Sequence, residues 1–416
     1  MSAEGPIITA AINRLPDAVL MLAAQGIVMG LSVLIESPII NLLATATALT
    51  KDRRAYLLIR KFTLHWLILL TAISLLFSYT GAFDVVVIGW MGVPAQVAEW
   101  VRPGMRIMIL WSAAIGWRRF LQGILIRFNQ TRKIAWGTVV RLVTSGGSAI
   151  GLALWSGWPG VIIGATALMA GVIAEAIYVT LVTQPVIKSE LGPASLPIKC
   201  KPLTYRDLFW FHLPLAGTSL LLLLVQPMVT MSLARLDHPT LSLAAWPIVF
   251  QVTLMARAGA NALPEVVVAL TQGPETLRPV CRFAIILTAV STGLTALFLW
   301  TPLVNLYLFE VQDTTPAVGE MARYGLSFFL LLPALSILVA WLRGLLIYTR
   351  STRVVNAGML INLLATAAIL LFGVQGRQDG LLTAAMALNG ATFVELVILW
   401  WGVQPSLREI GQRSLA

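Results

Sequence analysis

Seven ionisable residues of this sequence lie inside long apolar runs: Glu36, Arg106, Arg141, Glu175, Arg257, Glu265 and Glu395. A charge at bilayer depth costs a few kcal/mol or more, so each must be paired or must face a wet cavity, and such residues mark solute and ion pathways. Glu36 and Arg257 occupy matching places in two related helices. Opposite charges so placed suit an interlobe pair that opens and closes as two lobes rock, beside helix kinks at Pro38 and Pro264, with an isolated snorkelling side chain as the alternative. Glu175 and Glu395 also match, and a carboxyl group there can bind and release a coupling proton; a packing role, hydrogen-bonded to a neighbouring helix, is the alternative. Arg106 and Arg141 give the first half a positive component suited to an anionic substrate or headgroup, unless Arg141 merely snorkels to the nearby interface.

Few other residues suggest chemistry. There is no GxxxxGK[ST] cradle for phosphates, no HExxH and no GxSxG elbow, so neither ATP-driven transport nor a familiar enzyme is indicated. His65, His212 and His238 are scattered and read as packed or interfacial side chains, with no metal site. Cys200 and Cys281 have no CxxC or metal spacing and read as free thiols. The spacings Gly26-x3-Gly30 and Gly147-x3-Gly151 fit close helix packing.

The elements that must position the charges follow from composition. The chain has 416 residues, 58% of them hydrophobic and 11% charged, with a mean hydropathy of +0.85. Soluble domains carry about 25% charged residues. The chain is therefore expected to be an all-α polytopic membrane protein, since a bilayer span takes about 20 apolar residues. Soluble enzymes, disulfide scaffolds and nucleic-acid-binding domains are excluded as classes. Eleven helices are predicted, near 18–49, 55–80, 96–127, 133–156, 159–186, 206–234, 240–271, 277–303, 317–349, 353–374 and 380–403.

An internal repeat organises them. A shift of 221 residues aligns TAAINRLPDAVLMLAA at 9–24 with TMSLARLDHPTLSLAA at 230–245, and then matches Phe62 with Phe283, Arg102 and Gly104 with Arg323 and Gly325, and Gly123 with Gly344. After a one-residue slip near 157, Glu175 matches Glu395 and Gln184-Pro185 matches Gln404-Pro405. One register held over about 170 residues signals duplication. The predicted organisation is an N-terminal lobe at 1–186, a cytoplasmic linker at 187–205 and a C-terminal lobe at 206–416. The first helix of the first lobe is mostly missing, with only residues 5–12 as its remnant, which predicts about eleven full spans here and twelve in a chain with an earlier start. Six spans per lobe make the repeat parallel, about an axis along the membrane normal.

Of the 29 Lys and Arg residues, 21 fall on one side of this scheme, with Arg118, Arg119 and Arg343 counted among its loops. That side is expected to be cytoplasmic and to hold the C-terminus. The net charge of +11 is thus an orientation signal, with anionic lipid as a contact and no nucleic acid partner. Trp90, Trp100, Trp155, Trp158 and Trp300 fit one interfacial belt, and Trp136, Trp210, Trp400 and Trp401 the other.

Two such lobes, with long kinked second and eighth helices, resemble the MATE-like superfamily of multidrug, oligosaccharidyl-lipid and polysaccharide exporters. Locally the pattern is similar to progressive ankylosis-type proteins. The residues that carry this are Asp17-Ala18-Val19-x-Met21-Leu22-Ala23-x-x-Gly26, Pro38 and Lys51-Asp52-Arg53, then Phe209-Trp210 with Pro214-Leu215-Ala216, and Gly390 with Glu395. The resemblance implies a secondary active exporter with alternating access, coupled to H⁺ or Na⁺ and needing no cofactor. Its partners would be the bilayer and a small solute, anionic on the progressive ankylosis pattern. The family's coupling acid on the first helix has no counterpart to receive it here. A monomer in a bacterial inner membrane is expected. The rival readings are a flippase for a lipid-linked saccharide and, from another class, a non-transporting scaffold or a lipid-modifying enzyme.

Overall fold

Asp52 shows how the long helices begin: its Oδ1 accepts the Ala55 N–H at 2.7 Å and caps the helix Arg53–Tyr79. The computed structural model describes residues 4–191, 203–271, 273–349 and 351–413. Among the described residues there is no strand. Backbone groups in hydrocarbon must be satisfied within their own segment, and helices do this. In chain order they are α1 Glu4–Asn13, α2 Ala18–Glu36, α3 Leu42–Leu49, α4 Arg53–Tyr79, α5 Ala95–Ile107, α6 Trp111–Arg127, α7 Thr131–Trp155, α8 Gly160–Glu190 and α9 Tyr205–Leu233. There follow α10 Pro239–Ala256, α11 Ala258–Leu270, α12 Pro274–Trp300, α13 Leu303–Asn305, α14 Pro316–Ser327, α15 Leu332–Tyr348, α16 Thr352–Gln375 and α17 Gly380–Arg413.

Nine helical stretches among the described residues are long and apolar enough to span a bilayer, or ten if the bent pair α14–α15 is one span. The eleventh expected span, 96–127, is instead two helices, α5 and α6, separated by a 3₁₀ turn at Met108–Leu110. Arg102, Arg106, Arg118 and Arg119 punctuate this stretch, so it lacks a long uncharged window. In α12, by contrast, the apolar window is only 11% buried. Its exposed Ile285, Ile286, Val290, Leu294 and Leu297 need lipid as their solvent. Trp90, Trp155 and Trp300 are 67%, 85% and 77% exposed, as interfacial anchors require. The chain is an integral membrane protein.

The breaks fall where polar residues interrupt the apolar runs. α2 and α3 are joined by a 3₁₀ turn, Ser37–Ile39, that contains Pro38. In the matching helix the break is at Arg257, between α10 and α11, while Pro264 lies inside α11. Arg257 occupies the repeat position of Glu36, so the interruption tracks the charged position rather than the proline.

Residue-level geometry repeats with the sequence. Left-handed backbone recurs at matched turns: Asp17 (φ 55°) and His238 (φ 49°), Gly92 (φ 70°) and Asp313 (φ 52°), Gly157 (φ 64°) and Arg377 (φ 48°). Asp84–Trp90 and Leu306–Val311 are both π-helical, closed by Met91 N to Val86 O and Gln312 N to Tyr307 O, each 2.8 Å. Close helix contact occurs at Gly123 and Gly344, where an added Cβ would come within 2.5 Å of Leu43 O and 2.6 Å of Val267 Cβ. Gly30 and Gly147 have open space within 4 Å, so the spacing that suggested tight packing there does not produce it.

By contact the chain divides into units Ala3–Pro227 and Met228–Ala416. Most of α9, expected to head the second lobe, thus packs with the first unit. The cause is polar: His212 Nε2 meets the Pro38 carbonyl at 2.9 Å, its Nδ1 meets Thr45 Oγ1 at 2.9 Å, and Asn41 Nδ2 donates to Leu215 O and Ser219 Oγ at 2.7 and 2.6 Å. Of the expected linker 187–205, α8 takes residues to Glu190. Positions 192–202, with Cys200, lie outside the described residues.

Candidate functional site

The first unit holds a buried ionic network assembled from five helices. Glu175, on α8, is fully buried. Arg118 Nη1 of α6 reaches its Oε2 at 2.5 Å, and one turn further along α6 Gln122 Nε2 donates to its Oε1 at 3.1 Å. Arg141 of α7 lies 3.9 Å from the same Oε2 and pairs more closely with Glu4 of α1, through Nη2 at 2.7 Å and Nε at 3.2 Å. Arg141 also sits over the Trp111 ring, 5.6 Å from its centroid. The helices approach closely because Gly137 and Gly171 face Glu175 and Glu4.

Glu36, at the end of α2, completes the cluster. Arg118, Arg119 and Arg141 are the charges that act on its carboxylate. Three glutamates and three arginines balance in charge, but not in hydrogen bonds. Glu36 Oε2, Arg118 Nε and Nη2, Arg119 Nε, Arg141 Nη1 and Trp111 Nε1 are buried without a hydrogen-bond partner at normal distance among the described residues. Unmet buried donors of this number call for water or a ligand. Chemically, the cluster can bind a small anion on guanidinium donors and move a proton at Glu36 Oε2.

The second unit carries a simpler version. Glu395 of α17 accepts from Arg343 of α15, through Nε at 2.8 Å and through Nη2, and from Asn362 Nδ2 of α16 at 3.0 Å. By the repeat register Gln122 matches Arg343 and Arg141 matches Asn362. Each buried carboxylate accepts from one guanidinium and one amide; on Glu175 both donors come from α6, whereas on Glu395 the guanidinium comes from α15 and the amide from α16. Gly358 packs against the Glu395 stem as Gly137 packs against that of Glu175, at 3.4 and 3.5 Å from an added Cβ.

Of the seven residues singled out in the sequence, Glu36, Arg141 and Glu175 come together in one cluster. Arg141 is 4% exposed and paired, so it does not snorkel. Glu395 anchors the matching cluster. Arg257 is half-buried, with Arg343 as its charged neighbour. Arg106 is exposed and stacks on Tyr79, 4.6 Å from the ring centroid, away from Arg141's partners. Glu265 is exposed on α11. Arg118 and Arg343, counted in cytoplasmic loops, lie within helices, and Arg118 is 2% exposed; so does Arg119, half-buried on α6. Burial of their carboxylate partners draws Arg118 and Arg343 in. Glu4, Gln122 and Asn362 also went unread. The repeat register was the signal for two of them, since it pairs Gln122 with Arg343 and Arg141 with Asn362.

Helices of this order, repeated in two units, make an all-helical membrane protein, and its fold is that of MATE-type solved structures. Solved structures bear this out. An inward-facing multidrug resistance MATE family transporter of the MOP superfamily matches with a TM-score of 0.73 at 13% identity, over 98% of this chain and 96% of that one. The lipid II flippase MurJ, in an inward closed conformation, matches with a TM-score of 0.75 at 12% identity, over 100% and 89%. A MOP superfamily transporter from Pyrococcus furiosus gives 0.62 at 14% identity, over 99% and 95%. No protein-family model matches the sequence, and no curated protein matches it either.

Proposed function

We propose that this protein is a secondary active transporter, an exporter that moves a small anionic solute by alternating access, coupled to H⁺ or Na⁺. The observation that carries the reading is the buried cluster of the first unit, with guanidinium donors left unmet on Arg118, Arg119 and Arg141 beside an unpartnered Glu36 oxygen. Structural packing alone does not favour so many desolvated donors, whereas a site that alternately takes an anion and a proton needs them. Arg257, at the matching helix break, is the positive element of the second unit. On this reading Glu36 and Arg257 are, each within its own unit, the charges whose partners change during the cycle.

Reconstitution in proteoliposomes tests it. An imposed proton or sodium gradient should drive flux of an anion such as citrate or a nucleotide more strongly than flux of cationic dyes. Glu36→Gln and Arg257→Gln should each reduce that flux; if both leave it intact, their role in the cycle fails. The second reading, a flippase for a lipid-linked saccharide, is favoured by the TM-score of 0.75 to a lipid II flippase. Absence of gradient-driven flux for every soluble solute, with translocation of a labelled lipid-linked sugar, would select it.

A further inference from the structure

A cavity of about 890 Å³ opens in the second unit at the end of α12, lined by Trp300, Asn305, Phe309, Glu320, Arg323 and Tyr324 among others. Its matched place in the first unit gives an internal control. There Arg102 makes an ion pair with Asp84 and lies over the Phe83 ring, 4.6 Å from the centroid, so its charge is neutralised in place. In the second unit Asn305 stands at the position of Asp84. Arg323, matching Arg102, donates to the side-chain Oδ1 of Asn305 at 3.3 Å, and no carboxylate lies within ion-pair distance of it among the described residues. The amide NH₂ of Asn305 is thereby left as a second donor beside a guanidinium that makes no ion pair among the described residues.

The cavity also contains a carboxylate. Glu320 precedes Arg323 by three positions on α14, which sets the two on one helix face with about 5–6 Å between Cβ atoms. That separation suits a ligand whose phosphate and primary ammonium are joined by a two-carbon link. The rim adds Leu299, Pro302 and a Trp300 that is 77% exposed, an apolar margin of the kind that holds acyl chains at the interface.

We propose that this cavity binds the headgroup of a phosphoethanolamine-type membrane lipid. The phosphate rests on Arg323 and Asn305, the ammonium on Glu320, and the glycerol end lies along Trp300. The site is separate from the buried cluster and independent of which solute is carried.

Native mass spectrometry of the full-length protein in detergent, given equal amounts of phosphatidylethanolamine, phosphatidylcholine and phosphatidylglycerol, tests the assignment. Phosphatidylethanolamine should be retained in preference to both. Asn305→Asp, which recreates the ion pair that the first unit tolerates, should lower its retention on the order of tenfold, as expected for loss of a charge-assisted contact. Glu320→Gln should abolish the preference over phosphatidylcholine, and Asp84→Asn should admit a second phosphatidylethanolamine. Equal retention of phosphatidylcholine by the unaltered protein, or undiminished retention by Asn305→Asp, would overturn the proposal. So would soluble phosphoethanolamine binding as tightly as the lipid, since the rim would then contribute nothing.

Discussion

Glu175 and Glu395 differ in what surrounds the same carboxylate, and their substitution should separate the two units. Glu175→Gln leaves Arg118 and Arg141 buried, the first without its salt-bridge partner among the described residues. Removing one member of a buried pair costs about 3–5 kcal/mol, because the stranded charge stays desolvated. Arg343 is 23% exposed, so after Glu395→Gln it can regain water, and a smaller loss is expected. Thermal unfolding in detergent should therefore show Glu175→Gln as the more damaging change; equal shifts would mean that the first cluster is already hydrated. Glu36→Gln removes a charge that faces Arg118, Arg119 and Arg141, so some stability is lost, but gradient-driven flux per folded molecule should fall further than that loss accounts for. This dissociation of folding from transport is the residue-scale mark of a working group.

At the scale of elements, two contacts hold the broken helices. Gly123 of α6 faces the α3 backbone, and Gly344 of α15 faces α11. Gly123→Ala and Gly344→Ala should each destabilise by several kcal/mol, about what overpacking at backbone contact costs at its upper end. Gly147→Ala meets nothing within 4 Å and should be neutral or stabilising by about 0.5–1 kcal/mol; melting curves of the three variants decide this. His212 of α9 pins the α2–α3 turn by both ring nitrogens. His212→Ala should cost about 1–3 kcal/mol for the stranded polar groups and speed hydrogen exchange over residues 37–45. Most helices were legible in the sequence because long apolar runs and charged punctuation set them. The internal breaks were less so: Pro38 announced one, but at Arg257 and at Met108–Leu110 the α-helix is interrupted without a proline. The partnership of α9 with the first unit was invisible, since His212, Asn41 and Thr45 are distant in sequence and none has a motif.

For the whole molecule, the repeat was the most legible feature and also the best guide to the site. It led to Glu175 and Glu395 directly. It did not lead to Arg118 or Glu4, which have no counterpart in the second cluster, and charge counting placed Arg118 in a loop because a basic residue near a helix end reads as an interfacial anchor. The asymmetry has a functional expectation. If the extra Glu4 and Arg118 make the first unit the site of solute and proton exchange, then Arg118→Gln should abolish gradient-driven flux, whereas Asn362→Ala in the second cluster should reduce stability with little change in flux per folded molecule.

The left-handed turns shared by the two repeats carry a further implication. At Gly157 and Arg377 the same backbone conformation has been kept while one copy lost the residue suited to it. Each repeat is thus a sequence library for the other, sampled under one backbone. Arg377→Gly, borrowing the first repeat's solution, should raise the melting temperature by relieving about 1 kcal/mol of backbone strain, and the reverse exchange, Gly157→Arg, should lower it.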